Sequence, residues 1–188
     1  EVTVNSICEY IWGFVLSNQM NSRDIVFGKI VSGRDINLPN IDNFVGFTIN
    51  TIPKRIRYNI EHSLQKSLKD NQYDSLNSSN YSYLSLTDIR SDSLTGSKII
   101  DSLYVFENYY ENNITDLLNK LGITKIKTYE YVKYPLSMAV SWDEQNLLKF
   151  KLLYSTNIIK HSEGELLLKR LKKAIRELVV ENKRLADI

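Results

Sequence analysis

The sequence predicts an α/β fold, a two-layer sandwich of one sheet and its helices, and three observations support this class. Segments with helical periodicity alternate with runs rich in β-branched residues. Two strand-like segments and an amphipathic helix close the chain, which is typical of an α/β sandwich. With 188 residues, of which 43% are hydrophobic and 24% charged, the chain can bury one sizeable core but hardly two.

The first third of the chain is predicted to contain one helix and two strands. Apolar residues recur at helical spacing over residues 4–15, and Thr3 is a suitable N-cap. The β-branched run at 24–32 predicts a largely buried strand. A second strand is predicted over 47–57, where Pro53 places the later half at a sheet edge or a bend.

The middle of the chain is mostly polar. A polar helix is predicted from residue 59 to about residue 76. Ser, Asn, Asp and Tyr dominate residues 71–96, which predicts a long surface excursion with one anchoring turn at 83–86. A third strand is predicted over 99–108, followed by a short helix over 114–121 that Gly122 stops.

The last third is predicted to hold three strands and the clearest helix. The strands are expected at 125–132, 136–142 and 147–154, with a hairpin-length turn over 143–146 between the last two. Ser162 and Glu165 predict a capping box at the start of the final helix. One apolar stripe runs along that helix from Leu167 to Val179.

The composition removes several classes of function. Lys and Arg (24) nearly balance Asp and Glu (22), so the net charge of +2 does not indicate a phosphate-coated partner. No apolar run approaches the ~18 residues that cross a bilayer, and no signal peptide is visible. We therefore expect a cytoplasmic protein that binds neither nucleic acid nor membrane. The single cysteine, Cys8, excludes an internal disulfide and a cysteine-based metal site.

The inventory for acid–base or metal chemistry is thin, since the sequence contains only two histidines, His62 and His161. Neither has a Cys, Asp or second His at metal-ligand spacing, so we expect surface histidines and no metal site. The chain also starts at Glu1, without Met, almost within a helical pattern. This start predicts an excised fragment of a longer protein.

The last helix carries a basic face formed by Lys169, Arg170, Lys172, Lys173 and Arg176. This face could bind nucleic acid or an acidic protein, or it could be a solvated face whose cations suit the negative end of the helix. Aromatic residues are not interleaved with these cations, as a single-strand binder would need, so the solvated face is favoured.

Small and polar residues interrupt the first two strands. Gly28 permits close approach of another backbone or of a slender ligand, and Ser32 ends the first strand beside a Gly-Arg pair. Asn50 and Thr51 place an amide and a hydroxyl in an otherwise apolar strand. Such groups either line a cavity or hydrogen-bond to a loop, and both possibilities stay open at this point.

These residues also match a known family. The run Asp24-Ile-Val-Phe-Gly28-Lys-Ile-Val-Ser32-Gly-Arg34, followed by Val45-Gly-Phe-Thr-Ile-Asn50-Thr51-Ile-Pro53-Lys-Arg55, resembles the second half of the condensation domain of nonribosomal peptide synthetases. Residues 3–16, 101–109, 134–141 and 148–154, together with the last helix, are similar to family elements in the same order. The sequence departs from the family at Tyr110, where Pro is usual, and over 71–92, which only echoes a His-x-x-x-Pro-Leu region.

The resemblance implies a chloramphenicol-acetyltransferase-like lobe, with a mixed sheet flanked by helices. Residues 1–188 would form the C-terminal lobe of a condensation domain whose N-terminal lobe is absent from this sequence. Condensation domains are acyltransferases that form amide bonds between carrier-bound aminoacyl or peptidyl thioesters, in secondary-metabolite and antibiotic biosynthesis. The implied partners are peptidyl carrier domains, the missing N-terminal lobe and a neighbouring adenylation domain. The substrates are held on phosphopantetheine of the carriers, so no cofactor is expected to bind this chain directly.

The family's catalytic signature, His-His-x-x-x-Asp-Gly, does not occur in this sequence. The resemblance therefore implies that the chain holds no catalytic residue, that it supplies tunnel wall and carrier docking surface, and that the isolated fragment is inactive. Gly28, Ser32 and Asn50 are expected to face the substrate tunnel, with Thr51 a weaker candidate.

Two alternatives to a catalytic lobe remain at this stage. A non-catalytic relative could keep the fold as a docking or recruitment module, although the polar pair Ser32 and Asn50 argues against it. An unrelated α/β module could bind nucleic acid through the last helix, and retention on DNA or RNA would reveal it.

Overall fold

The computed structural model of the chain describes residues 1–34, 39–93, 99–107, 120–123, 133–143 and 145–180. Its strands are β1 (Asp24–Val31), β2 (Asn50–Arg57), β3 (Ser102–Glu107), β4 (Leu136–Trp142) and β5 (Leu148–Tyr154). Its helices are α1 (Val4–Met20), α2 (Leu64–Ser79), α3 (Leu86–Ser91) and α4 (His161–Ala174), which continues as π-helix over Ile175–Val180.

The five strands form one mixed sheet in the order β2-β1-β3-β4-β5. The central strands β1, β3 and β4 run parallel, and both outer strands pair antiparallel with their neighbours. This arrangement confirms the predicted α/β class with a mixed sheet flanked by helices. Pro53 lies opposite Gly28 on the edge strand β2, as its residue type predicts, because an edge strand tolerates the loss of an N–H donor.

The core lies between one face of the sheet and the helices α1 and α4, which also contact each other. Trp12 at the middle of α1 is 1% exposed, and Phe27 on β1, Tyr104 on β3 and Val140 on β4 are fully buried. The predicted N-cap of α1 is confirmed, since Thr3 Oγ1 accepts a hydrogen bond from the backbone N–H of Ser6 at 3.2 Å. This cap fixes where α1 begins beside the sheet.

The predicted surface excursion over residues 71–96 is wrong for residues 71–93, the part of it that the structure describes. Helix α2 continues to Ser79, and a further helix, α3, begins after Ser85, whose hydroxyl caps it. Polar residues carry α2 because they bond to α1: the side-chain amide of Asn71 donates to Ser6 O at 3.1 Å, and Ser75 bonds to the Glu9 side chain at 2.9 Å. Tertiary hydrogen bonds thus outweigh the low helix propensity of Asn and Ser.

Several element boundaries also differ from the predictions. The second strand begins at Asn50 rather than at residue 47, and α2 begins after Ser63, whose hydroxyl accepts from the N–H of Lys66. The predicted capping box of Ser162 and Glu165 is wrong. Helix α4 begins two residues earlier than this box requires, at His161, and the carboxylate of Glu163 accepts from the backbone N–H of Lys160 at 2.7 Å.

The predicted strands at 136–142 and 147–154 are confirmed as β4 and β5. Their turn includes Asn146 with φ of 57°, a left-handed conformation that Asn tolerates. The predicted strand at 125–132, most of the helix at 114–121 and residues 108–110 lie outside the described residues. No helix in the described part of the chain is long and apolar enough to cross a membrane.

Candidate functional site

A groove of about 920 Å³ opens where the carboxyl ends of β1, β3 and β4 meet the first turn of α1. The remaining walls come from one side of α2, from residues 52–54 of β2 and from the segment at 46–49, just before β2. The crevice beyond the carboxyl ends of parallel strands is where α/β sheets commonly bind ligands. This groove is therefore the candidate functional site.

A buried carboxylate lies behind the groove and joins four elements. Glu9 of α1, whose side chain is fully buried, pairs with Lys29 of β1 and lies 3.1 Å from Lys54 of β2, measured from Oε1 to Nζ. From α2, Ser75 donates to Glu9 Oε1 at 2.9 Å and the Asn71 amide donates to the same oxygen at 3.3 Å. Both lysines line the groove, whereas Glu9 does not.

The electrostatics of this cluster follow from burial and pairing. Burial alone would raise the pKa of the Glu9 carboxyl, but the charges and hydrogen bonds of Lys29 and Lys54 hold that pKa below its usual value. Burial lowers the pKa of the Lys54 ammonium, and the attraction of Glu9 offsets part of this effect. Glu9 is therefore ionised at neutral pH, and one carboxylate faces two lysines.

The turn after β1 anchors the segment that forms one groove wall. Gly33 has a φ of 67°, and a Cβ built on it would lie 1.9 Å from the carbonyl oxygen of Thr48. The guanidinium of Arg34 donates to the carbonyl oxygens of Ile41 (2.8 Å) and Phe44 (3.0 Å). Only glycine fits such a close backbone approach with a positive φ, so the Gly-Arg pair fixes the path of the chain into β2.

The anchored segment, residues 44–49, presents apolar side chains to solvent. Phe47 is fully exposed and Val45 is 97% exposed, and more than half of Phe44 and of Ile49 is accessible. Isolated exposed apolar residues are ordinary, but four of them within six residues form a patch of the kind that marks an interaction surface. Most of this segment belongs to the run from Val45 to Arg55 that carries the family resemblance.

The four residues singled out from the sequence do not meet at one place. Ser32 lines the groove, is exposed, and accepts a hydrogen bond from the backbone N–H of Arg34 at 3.2 Å. Asn50 lies at the start of β2, and its side-chain amide donates to the carbonyl oxygens of Ser82 (2.7 Å) and Leu84 (2.8 Å). Of the two possibilities for Asn50, the structure therefore has the hydrogen bonds to a loop.

Gly28 and Thr51 lie next to each other on the sheet face opposite α1. A Cβ built on Gly28 would approach Ile100 at 2.9 Å and both Leu103 and Thr51 at 3.1 Å. The groups close to Gly28 are thus side chains of the same chain, whereas the sequence suggested another backbone or a slender ligand. Neither Gly28 nor Thr51 lines the groove, and both lie on the side of the sheet opposite to that of Lys29 and Lys54.

Neither of the two histidines nor the cysteine lines the groove. His62 lies at the surface 3.8 Å from Asp70, and His161 begins α4, with its Nδ1 2.7 Å from the Tyr154 hydroxyl. Cys8 is buried in the core, and burial raises the pKa of its thiol to about 11, so it stays protonated and unreactive. Among the described residues, no cluster of His, Cys, Asp and Glu could hold a metal ion.

The basic face of α4 lies on its outer side, away from the groove. Lys169, Lys172, Lys173 and Arg176 are exposed, and Lys173 lies 3.7 Å from Glu177 one turn along the helix. Arg170 donates to the side chain of Gln19 at the end of α1. The described contacts of this face are therefore with its own helix and with α1.

Comparison with known proteins places the chain in a family. A family model described as "Condensation domain" matches residues 1–184. Over 160 residues, 84% of this chain, the sequence is 36% identical to part of bacitracin synthase 3 from Bacillus licheniformis. The chain belongs to the condensation-domain family. It is also 32% identical over 164 residues, 86% of its length, to part of tyrocidine synthase 3 from Brevibacillus parabrevis.

The chain is short relative to these proteins. The matched stretches make up only 2% of bacitracin synthase 3 and 2% of tyrocidine synthase 3. Among solved structures, a four-domain nonribosomal peptide synthetase bound to AMP and glycine matches 97% of this chain and 15% of its own chain, with a TM-score of 0.77 and 15% identity. The starter condensation domain of a rhizomide synthetase matches all of this chain and 45% of its own, with a TM-score of 0.72 and 10% identity. At these identities the structures show a shared fold.

Within this condensation-family fold, the buried cluster around Glu9 is the feature that sequence reasoning missed. The sequence nevertheless contains a signal for this cluster. On β1, Lys29 continues the inward series of Ile25 and Phe27, and on β2, Lys54 stands between the buried Ile52 and Ile56. A lysine at an inward strand position needs a buried acid, and Glu9 lies in α1, whose buried residues are mostly apolar.

Proposed function

We propose that the chain is the C-terminal lobe of a condensation domain, and that this lobe forms one wall of the tunnel in which carrier-bound thioesters are joined by an amide bond. The observation that carries the proposal is the family match over residues 1–184. The groove at the carboxyl ends of the strands supports the proposal. This groove is open rather than enclosed, so a second lobe could close it to form a tunnel.

In this proposal, the N-terminal lobe carries out the proton transfer. In amide formation the acceptor amine attacks the thioester carbonyl and loses a proton, so a base must lie within hydrogen-bond reach of the amine. Neither His62 nor His161 lines the groove, and the sequence lacks His-His-x-x-x-Asp-Gly. This lobe would bind and orient the thioesters and exclude water, while the N-terminal lobe would supply the histidine.

The proposed tunnel residues differ in how directly they act. Ser32 lines the groove and is proposed to face the pantetheine arm or the acyl group. Gly28, Asn50 and Thr51 are proposed to act through the strands: Asn50 holds the start of β2 to the turn at 82–84, and Gly28 lets Ile100 and Leu103 pack closely. These contacts keep the groove wall in position.

The proposed partners are peptidyl carrier domains, whose phosphopantetheine would bring the substrates, the N-terminal lobe and a neighbouring adenylation domain. The four-domain synthetase of similar fold and the synthases with similar sequence support a multidomain setting. The exposed apolar patch at 44–49 is proposed as surface that a neighbouring part of the parent protein covers.

The proposal is tested with the full-length parent protein and its loaded carriers, by mass spectrometry of the carrier-bound product. Ser32→Trp places an indole in the groove and should reduce amide formation at least about tenfold, while amino-acid activation and melting temperature stay unchanged. Ser162→Trp, on the exposed side of α4, is the matched control and should leave the rate unchanged. Full activity of Ser32→Trp would exclude the groove as a tunnel wall. A wild-type protein that binds loaded carriers but forms no amide would indicate the docking module instead.

A further inference from the structure

The side chains that line the groove are unbalanced in charge. Lys29, Lys54 and Arg34 line it, whereas none of its lining residues within the described part of the chain is an Asp or a Glu. The nearest acid on this side is Glu9, which is fully buried behind the two lysines. Asp74 also attracts Lys54, but it is exposed and lines a different groove.

The two lysines differ in how far their hydrogen-bonding capacity is used. Lys54 Nζ contacts three acceptors, namely Glu9 Oε1 (3.1 Å), the carbonyl oxygen of Asn71 (3.1 Å) and Ser75 Oγ (2.7 Å), which matches the three N–H groups of an ammonium. Among the described residues, Lys29 Nζ contacts only Glu9 and, at 3.5 Å, Ser75. Its side chain is also more exposed, at 14% against 5% for Lys54.

Lys29 therefore keeps a donor for the groove while Glu9 holds its ammonium in place. The single carboxylate of Glu9 cannot neutralise both lysines, so the floor of the groove carries excess positive charge. The two lysines are largely shielded from solvent, and an ion pair is stronger in such an environment than at an open surface. An anionic group entering the groove would complete the hydrogen bonding of Lys29 and balance the charge.

The other walls limit what kind of anion fits. Phe47, Ile49, Phe106 and Trp142 line the groove with apolar surface. A ligand that satisfies both features carries an anionic oxygen group on a short apolar chain. The first turn of α1, which borders the groove and contains no acidic residue, also favours negative charge through the helix dipole.

We propose that Lys29, held by Glu9, is a specificity-determining residue that selects an aminoacyl or peptidyl group bearing a side-chain carboxylate. This inference rests on the proposed function, since it names the substrate class of the same groove. A phosphate on the pantetheine arm shares the anionic chemistry, but it would be common to every substrate and would give no selection among them.

The test measures binding, so that it does not depend on catalysis. Calorimetric titration of the full-length protein compares pantetheine thioesters of N-acetylglutamate and N-acetylglutamine, which differ only in the charge of the side chain. We expect wild type to bind the glutamyl compound about tenfold more tightly, with the preference shrinking at high salt. Lys29→Gln should abolish the preference, and Lys29→Arg should preserve most of it.

Lys149→Gln, an exposed lysine of β5, is the matched control and should keep the wild-type ratio. Equal binding of the two thioesters by wild type overturns the proposal without any variant, so a folding defect of Lys29→Gln cannot hide a failure. If Lys29→Gln instead weakens phosphopantetheine relative to pantetheine and leaves the glutamyl preference intact, the assignment of Lys29 to the carboxylate is overturned. Amide formation by the same preparations tests the proposed function separately.

Discussion

The carboxylate of Glu9 and the ammonium of Lys54 lie 3.1 Å apart, with both side chains almost completely removed from solvent. They connect the first helix to the edge strand, and Lys29 adds a second cation from the neighbouring strand. A buried ion pair often adds little net stability compared with apolar packing, but an isolated buried charge is very costly. The cluster therefore makes each of its members depend on the others.

Removal of the acid should be strongly destabilising. Glu9→Ala leaves Lys29 and Lys54 facing each other in the interior, and we expect the free energy of unfolding to fall by about 3–5 kcal/mol. Chemical denaturation followed by tryptophan fluorescence, to which the buried Trp12 of the same helix contributes, measures the loss. Asp24→Ala is the control, because Asp24 pairs with Arg55 at the surface, where solvent screens the interaction and the loss should be much smaller. Equal effects of the two substitutions would contradict this account.

The carboxylate of Glu9 should also make the free energy of unfolding depend on pH. The folded state holds the pKa of Glu9 below the unfolded value of about 4.3, so the unfolded chain takes up a proton first as the pH falls. The contribution of Glu9 is complete above that pH and is lost progressively below it. Free energies of unfolding between pH 3 and pH 7 should therefore decrease less steeply for Glu9→Gln than for wild type.

A control separates this effect from that of the surface acid. The hydrogen bond from Arg55 also lowers the pKa of Asp24, so Asp24→Asn removes a second source of acid sensitivity. If the free energy of unfolding of Glu9→Gln falls with pH as steeply as that of wild type, while that of Asp24→Asn does not, the pH dependence comes from the surface pair of Asp24 and Arg55.

Strands and helices could be predicted from the sequence where their residue types favour the structure that they form. Thr3 caps α1 as its residue type suggests, and Pro53 stands at the sheet edge. The second half of α2 could not be predicted, because Asn71 and Ser75 favour loops unless a partner accepts their hydrogen bonds. That partner, Glu9, is more than 60 positions away in the sequence.

The candidate site was predictable only in part, for a related reason. Ser32 follows a strand at the carboxyl end, where α/β sheets commonly bind ligands, and it lines the groove in the structure. Asn50 has the same polar character but bonds to the turn at 82–84, which its own strand pattern does not reveal. A polar residue in a strand shows that a partner exists, while only the tertiary structure shows whether the partner is a loop or a cavity.

Gly33 should be essential for the groove wall. Gly33→Ala adds a Cβ at a φ of 67° and only 1.9 Å from the Thr48 carbonyl oxygen, so the segment at 44–49 must move. Gly122→Ala is a matched control with a φ of 68°, and no atom of the described residues lies within 4 Å of the new Cβ. It should cost only the backbone strain of about 1–2 kcal/mol. Thermal unfolding should rank Gly33→Ala as clearly more destabilising, and the reverse order would refute a close contact with Thr48.

The exposed apolar patch at 44–49 should promote self-association of the 188-residue chain when it is produced by itself. Sedimentation velocity of the 188-residue chain should show a sedimentation coefficient that rises with concentration. Phe47→Asp should suppress the rise without loss of stability, because Phe47 is fully exposed. Tyr83→Asp, at another exposed aromatic, is the control and should not suppress it. A strictly monomeric wild-type chain at high concentration would argue against an unmet interface at this patch.

The side chain of Asn50 should hold the edge strand β2 to the turn that precedes α3. Asn50→Asp keeps the size of the side chain but replaces the amide donor with a carboxylate that would face the carbonyl oxygens of Ser82 and Leu84. We expect a loss of about 1–3 kcal/mol in the free energy of unfolding, from two lost hydrogen bonds and repulsion between acceptors. Hydrogen exchange of residues 80–86 should accelerate most. Thr51→Val, which alters the neighbouring side chain and leaves both bonds in place, should not accelerate it. Slow exchange at this turn in Asn50→Asp would mean that other contacts hold it, and Asn50 would then be free to act toward a ligand.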